Sequence, residues 1–486
     1  MHTTADYGQG SRIGGAPGPA VPHAIVILLA AVSIALAAAI GAMVPQYGVL
    51  ILAGMLAAGF TVLCALRPDI GVLFIGATIP VEQAAMFEGN VTATRVIGVI
   101  VAAGWIANKI LRRERLDRPF TRPLVILCLG FLAYSAVSTM WAPYYSGTVT
   151  RIATLAQLVV LAVIVADLGS RWQRLDRIAK SLLVGALLAA ALILVQYASG
   201  GVRRAGENIA AGDMNSAARL LVMVMPIAFY LLMSQQRSVW RLIGVAYLGA
   251  ATIAVVATFS RSSLVLLPLV LVAQYAIAMR HRVRLRWLAV PLIVLVFGIR
   301  FVPMDRIEER VATIAPYLGA TLTGDPTGEV QSSRGYHLRI GLAIFRDHPI
   351  LGAGYHSYGD HFLRYQFEVA GADRLYRSRR SSHGSHWGLL ADLGLVGISL
   401  WIALLVVVPI ALIRGYRRLS RESANTERLL VLAILVSVAL NIPYGATAEI
   451  HKFKLFWFFI GMAIAASELS RQKLRAPTGH LAEAPV

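Results

Sequence analysis

Apolar runs of about twenty residues recur along this chain, and a run of that length is what crosses the hydrocarbon core of a bilayer as an α-helix. They lie near 24–43, 48–66, 70–82, 93–110, 124–141, 152–169, 181–199, 216–234, 242–259, 263–279, 288–304, 389–413, 429–446 and 453–468. Segment 70–82 is short and broken by Pro80, so the pattern predicts twelve to fourteen transmembrane helices. In lipid every backbone polar group must be satisfied within the protein, which leaves helical bundles and closed barrels as the folds available to a spanning chain. Composition agrees: 57% of residues are hydrophobic and 14% charged, against roughly 25% charged in a soluble domain.

The formal charge of +20 does not point to nucleic acid, because the basic residues are not gathered on one domain. They form short runs between apolar segments: 111–122 (LRRERLDRPFTR), 171–180 (RWQRLDRIAK), 237–241 (RSVWR), 280–286 (RHRVRLR) and 414–421 (RGYRRLSR). These fall in alternate loops, and cytoplasmic loops carry the Lys/Arg excess. They are therefore assigned to the cytoplasm, with both termini, and the loops 142–151, 200–215, 260–263, 305–388 and 447–452 face outward. Cys64 and Cys128 both lie in apolar segments, so neither a disulfide framework nor a thiolate metal site follows. Residues 1–23 are Gly/Pro-rich with a single Arg and read as a disordered tail, not a signal peptide.

The outer stretch 305–388 is too long for a simple linker and too patterned for a flexible one. Residues 304–319 fit a short amphipathic helix, and 324–329 (GDPTGE) a turn. In 334–349, Ile340, Ile344 and Phe345 recur at helical spacing before Pro349 stops the helix. The stretch holds ten Arg, no Lys and nine acids. A guanidinium fork matches phosphate oxygens bidentately, although surface ion pairs would use the same residues.

Three features within this frame carry possible chemistry. Arg261 stands between two apolar segments in 257–268 (ATFSRSSLVLLP). A charge at a membrane boundary either snorkels to headgroups or serves a site. Six histidines crowd the outer stretch: His337, His348, His356, His361, His383 and His386. His383 and His386 are three apart with neither an HExxH pattern nor a nearby Cys, so a metal site is not expected. An imidazole suits general-base work near neutral pH. The 352–359 stretch (GAGYHSYG) does not match GxGxxG, and the chain has no Walker A motif, so an ATP-driven cycle is not expected either.

Several of these segments together resemble the bacterial O-antigen ligase and polymerase superfamily, over roughly residues 50–470. Its ligases carry a His, a small polar residue, nine residues, Gly, two residues and Gly at the opening of a membrane helix. His383, Gly394 and Gly397 have that spacing, and Asp392 stands where relatives are often acidic. The second position is Gly384 instead of Asn, Ser or Gln, which keeps His386 as a rival to His383. Residues 332–354 resemble the family's Arg-containing helix and the turn after it. Arg334 stands at the Arg position, and Leu338 replaces the usual Trp. Residues 259–267 are similar to its Ser-Arg-Gly segment through Arg261, and 202–228 to its outer-loop Arg (Arg203 or Arg204) followed by a helix capped by Asn215.

The resemblance implies an all-α polytopic membrane glycosyltransferase of the bacterial inner membrane, with a long, partly helical periplasmic loop. The donor would be a glycan on undecaprenyl diphosphate, and the acceptor a sugar hydroxyl of lipid A–core. Membrane lipids would surround the protein, and no metal, ATP or other cofactor would be needed. His383 would be the base, and Arg261, Arg334, Arg339 and Arg203 or Arg204 would clamp the diphosphate. Asn215, Asp392, His386, Gly394 and Gly397 would support them. The expected division is a tail at 1–23, a transmembrane bundle at 24–304, a catalytic loop at 305–388, further membrane helices at 389–468 and a tail at 469–486. A polymerase or a protein O-oligosaccharyltransferase would share the chemistry with another acceptor. A flippase would instead place charges at mid-membrane depth in several helices.

Overall fold

The computed structural model describes residues 48–85, 93–115, 119–199, 214–234, 237–280, 312, 333–370, 377–419 and 425–475. Expectations for the tail 1–23, the segments 24–43 and 288–304, the 324–329 turn, and Arg203 and Arg204 lie outside the described residues. So does the 304–319 helix, apart from Ala312.

Among the described residues all regular structure is helical. The helices are α1 (Gly48–Leu66), α2 (Pro68–Thr78), α3 (Ala93–Leu111), α4 (Pro123–Val137), α5 (Tyr145–Leu168), α6 (Trp172–Ala198), α7 (Met214–Met233) and α8 (Ser238–Ala257). They continue as α9 (Arg261–Arg280), α10 (Ser333–Asp347), α11 (Tyr358–Ala370), α12 (Ser385–Arg418), α13 (Asn425–Ala439), α14 (Asn441–Gly445) and α15 (Lys454–Arg475). Among the described residues, nine helices are long and apolar enough to cross a membrane, so the chain is an all-α polytopic membrane protein. The short segment expected at 70–82 is the eleven-residue α2, continued as a 3₁₀ turn over Ile79–Ala85. The last helix runs on to Arg475, past residue 469 where the tail was expected.

Local sequence explains the helix starts. Pro68 and Pro123 open α2 and α4, where a missing N–H costs nothing and a fixed φ favours the first turn. Small residues explain the close crossings. A Cβ on Gly185 of α6 would stand 2.1 Å from Ala77 O, and one on Gly461 of α15 would stand 2.6 Å from Ala162 O of α5. Backbones that approach this closely gain dispersion contacts, which drive helix association in lipid. The centre of the bundle is α7, whose apolar window is wholly buried.

A second, smaller core sits at one end of the bundle. Ile340 and Ile344 of α10 pack with Phe362 and Tyr365 of α11, Ala353 of the intervening loop and Ala391 of α12. The α10–α11 pair thus forms a cap on the start of α12. Its register is the helical spacing read from the sequence, with Ile340 and Ile344 fully buried.

Candidate active site

The cap meets the bundle where α12 breaks. Gly394 has φ +61 and ψ −160 inside the helix. That is a left-handed region which a Cβ disfavours, and a Cβ here would stand 2.4 Å from Ile350 O. The break strands several backbone groups, and the loop after α10 satisfies them. Leu395 N donates to Pro349 O (2.9 Å) and Val396 N to Ile350 O (3.3 Å). Ala391 O and Asp392 O accept from Ala353 N (3.0 Å) and Gly354 N (2.8 Å). Irregular backbone within a membrane helix is tolerated only where protein meets its hydrogen-bonding needs.

Asp392 binds the same loop through its side chain. Its carboxylate accepts from Tyr358 N (2.6 Å) and His356 N (3.0 Å) at the N-terminus of α11, where negative charge is favoured. The end of α4 clasps the other side of the loop. Trp141 Nε1 donates to Gly352 O at 3.1 Å, and Ser138 Oγ accepts from Tyr355 N at 2.9 Å. Asp392 and Gly394 therefore build the platform on which the cap sits. Gly397, also buried, lies one turn beyond the break, against Leu393.

His383 lies two residues before α12, in a left-handed backbone conformation (φ +53) that is uncommon for a non-glycine residue. Such outliers cluster where a structure holds a side chain in a functional position. Its neighbours fix it. Ser382 is buried, and its Oγ lies 3.0 Å from Gly384 O and 2.9 Å from Glu449 Oε1. Glu449 in turn pairs with Lys452 Nζ at 2.8 Å. The His383 side chain is exposed, and its ring meets that of His337 edge-on at 4.8 Å.

His337, on α10, is 2% exposed. The Tyr358 hydroxyl donates to His337 O (2.8 Å), so His337 Nδ1–H donates to the phenol oxygen (3.1 Å). Burial first, then the positive charges of His383 and Arg380, push its pKa down to about 3, so His337 stays neutral. A neutral ring beside His383 gives it a polar neighbour without a second positive charge.

The rival His386 is differently placed. Its Nε2 lies 2.9 Å from Ile442 O and must donate to that carbonyl. Its Nδ1 accepts from Trp401 Nε1 at 3.2 Å. Both ring nitrogens are thus engaged, Nε2 pinning α12 to α14 and Nδ1 bonded within α12, and the ring packs on Gly445. The departure at Gly384 has a steric cause: a Cβ there would stand 2.3 Å from the Trp387 ring, whose Nε1 donates to Ser382 O. A side chain at position 384 and this placement of Trp387 exclude each other.

The arginines converge only in part. Arg261 is the first residue of α9 and is half-buried. Ser263 Oγ, two residues on, accepts from the Tyr444 hydroxyl at 3.3 Å, which ties this helix start to the α14 corner that holds His386. Arg339 stands two residues after His337 and is half-buried, with its Nε lacking a hydrogen-bond partner. Arg334 is the second residue of α10. Asn215 is the second residue of α7, one turn before Arg219.

Arg219 itself was not singled out from the sequence. It is 4% exposed and lies over the rings of Phe453 (5.0 Å) and Tyr444 (5.5 Å). The signal was available, since an arginine inside an apolar run is a functional-site candidate by default. Glu449, Lys452 and His451 were also missed. Their segment, 447–452, looks like a short connector, and only the fold brings it under His383. Burial raises the Glu449 pKa, but Lys452 and the other polar neighbours outweigh it and hold the carboxylate below its usual range. His451 donates its backbone N–H toward Ser385 Oγ, and its Nδ1 lies 2.9 Å from that hydroxyl. Burial drives its pKa well below the usual value. The His348 and His361 rings lie 5.6 Å apart, tilted by 60°. Among the described residues no three His, Cys, Asp or Glu side chains are grouped to hold a metal ion.

The geometry is that of an exposed imidazole on a rigid, strained loop, with buried polar groups beneath it and helix-borne arginines at the same end of the bundle. Residues 245–402 match the family model described as O-antigen ligase. The match begins in α8 and ends just past the break in α12, so it includes Arg261, Arg334, Arg339, His383, His386, Asp392, Gly394 and Gly397. It excludes Arg203, Arg204, Asn215, Arg219 and Glu449. No curated protein matches the chain.

Proposed function

We propose that this chain, a member of the O-antigen ligase superfamily through residues 245–402, is an inverting ligase. It transfers a glycan from undecaprenyl diphosphate to a sugar hydroxyl of lipid A–core. One observation carries the choice of base. His383 is exposed on a loop held by Ser382 and Glu449, whereas both nitrogens of His386 are committed to Ile442 and Trp401.

In this reading a ring nitrogen of His383 takes the proton of the acceptor hydroxyl as its oxygen attacks the anomeric carbon. The bond from that carbon to the diphosphate oxygen breaks, and undecaprenyl diphosphate leaves with the electron pair. General-base assistance of this kind contributes about 10²–10⁴-fold. Arg261, Arg334, Arg339 and the outer-loop Arg203 or Arg204 stabilise the charge growing on the leaving group, and such preorganised electrostatics is usually the largest catalytic contribution. Arg219 adds a buried cation at the same end, its planar face held by Tyr444 and Phe453. The leaving group is already activated, so the reaction needs neither ATP nor a divalent ion.

The reaction face is assigned to the periplasm. Arg112, Arg115, Arg122, Arg171 and Arg174, from the basic segments 111–122 and 171–180, gather around one cavity at the opposite end of the bundle, as expected of cytoplasmic residues. The cap formed by α10 and α11 belongs to the proposed catalytic unit 305–388, with both chain termini cytoplasmic in the inner membrane.

The test uses purified full-length protein, undecaprenyl-diphosphate-linked glycan and lipid A–core, with EDTA present and no ATP. The expected result is a lipid A–core band shifted by the glycan. Elongation of the lipid-linked glycan alone, or transfer to protein, would replace the ligase assignment with one of its superfamily alternatives. Restoration of activity only by Mg²⁺ or Mn²⁺ would remove the arginine clamp.

A further inference from the structure

At the end of the bundle away from His383 lies a cavity of about 880 Å³. It is walled by the ends of α3, α5 and α15 and by the starts of α2, α4 and α6. The side is fixed by α4. Its first turn, at Arg122, borders the cavity, while Tyr134 and the residues after the helix hold the 351–355 loop. The helix between them is about 22 Å long at 1.5 Å per residue.

The cavity has a neutralised floor and a charged rim. Six basic and four acidic residues line it. Every one of those acids is in an ion pair. Asp167 is held by Lys109 (3.0 Å) and Arg122 (3.5 Å) and accepts from Trp105 Nε1 (2.9 Å). Glu468 is held by Arg122 (3.0 Å), Glu114 by Lys109 (3.2 Å), and Asp69 by Arg67 (3.2 Å). The other four cations, Arg112, Arg115, Arg171 and Arg174, have no ion pair among the described residues. Arg122 Nη1 is buried in the floor without a hydrogen-bond partner. The three helices that start here have Arg67, Arg122 and Arg171 at their N-caps and no side-chain cap, so their free N–H groups add positive potential.

We propose that this cavity binds a phosphate-bearing group, the headgroup of an anionic phospholipid of the adjoining leaflet. Arginine forks and free helix N–H groups are the donors phosphate oxygens require. A lipid source follows from the wall of α3. Val99, Ile106 and Ile110 form an exposed apolar stripe on that helix, and Leu111 is 70% exposed beside the rim. An acyl chain leaving the cavity has this stripe to lie against. Basic pockets between transmembrane helices on the cytoplasmic side recognise lipid headgroups in this way. The inference is independent of the transferase reading, because no catalytic residue borders the cavity.

The experiment uses delipidated full-length protein in detergent. It is titrated with phosphatidylglycerol, cardiolipin or phosphatidylcholine while the melting temperature is followed. Phosphatidylglycerol and cardiolipin should raise it saturably, and phosphatidylcholine should not. The double variant Arg112→Gln/Arg171→Gln should keep the wild-type elution profile and bind the anionic lipids about tenfold or more weakly. The control Arg414→Gln/Arg417→Gln removes the same charge from the basic C-terminal end of α12 and should bind as wild type. Equal weakening in both variants would reduce the effect to bulk surface charge and overturn the proposal. So would stabilisation by inorganic phosphate or pyrophosphate without any by anionic lipid, which would make the ligand soluble.

Discussion

The two ends of the bundle treat charge in opposite ways. At the end holding Asp167, acids and bases sit together, and each acid has a partner within 3.5 Å. That network closes a helix junction and leaves an arginine rim over. At the His383 end three non-glycine residues, Phe259, His356 and His383, take the left-handed backbone region, against Arg113 alone among the described residues elsewhere. There Glu449 is paired with Lys452, but the histidines are quieted by burial: His337 and His356 are pushed down to about 3, by burial first and then by neighbouring positive charge. One end is made to hold helices together. The other holds a single exposed imidazole above a buried polar floor, which is the cost structure expected of a reaction site.

The largest effect that bears on this contrast concerns the base. His383→Ala should lower glycan transfer by about 10²–10⁴-fold, with normal insertion and yield. His386→Ala should retain most activity and lose stability instead, because it removes the hydrogen bond to Ile442 that pins α12 to α14 and the one from Trp401 within α12. Comparison of initial rates with yields after size-exclusion separates the two. An active His383→Ala with a dead His386→Ala would reverse the assignment.

Next comes the break itself. Gly394→Ala places a Cβ 2.4 Å from Ile350 O in a left-handed conformation, a change expected to cost on the order of 2–4 kcal/mol. The variant should show a lower melting temperature in detergent. Asp167→Ala at the other end, which leaves Lys109 and Arg122 without their shared acid, should destabilise by a comparable amount but spare transfer by the folded fraction. If Asp167→Ala abolished turnover at full folding, the two ends would not be functionally separate.

Arg261→Lys or Arg334→Lys should keep about a tenth of the activity, since an ammonium does not reproduce the bidentate fork. Full activity in either would make that arginine a helix anchor.

The smallest effect is on pH stability. A histidine whose folded pKa lies below its unfolded value near 6.5 binds more protons when unfolded, so stability rises with pH across that interval. For His337 and His356 the full stability is present above about pH 6.5 and is lost as pH falls toward about 3. Glu449, held below its usual value, loses its contribution on the same side, at lower pH. The melting temperature should therefore fall by a few degrees between pH 7.5 and pH 5.5. A rise on acidification would show that these histidines are charged in the fold.

Much of this molecule was legible in its residues because the bilayer imposes a one-dimensional code. Helix length, apolar content and basic loops are local properties, and they yielded the polytopic all-helical class and the helical register of Ile340 and Ile344. The spacing of His383, Gly394 and Gly397, with the segments around Arg261 and Arg334, carried the resemblance to the O-antigen ligase family that residues 245–402 match. Spacing alone did not separate His383 from His386, since both stand at the opening of α12. Only tertiary contacts, with Ile442 and Trp401 on one ring and His337 on the other, distinguish them. Glu449 and Lys452 were invisible for a related reason. They lie more than sixty positions along the chain from the loop they support, and nothing in a six-residue connector reveals which helix start it will underlie. Asp392 was assigned a supporting role from its position, but what it supports, the N-terminus of α11, is known only from the fold. The paired and unpaired arginines near residues 109–122 look alike in sequence. Ion pairing depends on distance across helices, and that distance is set by packing. The sequence by itself therefore determined the membrane class and the helix register, whereas tertiary packing decided which titratable groups are buried in structural hydrogen bonds and which stay exposed.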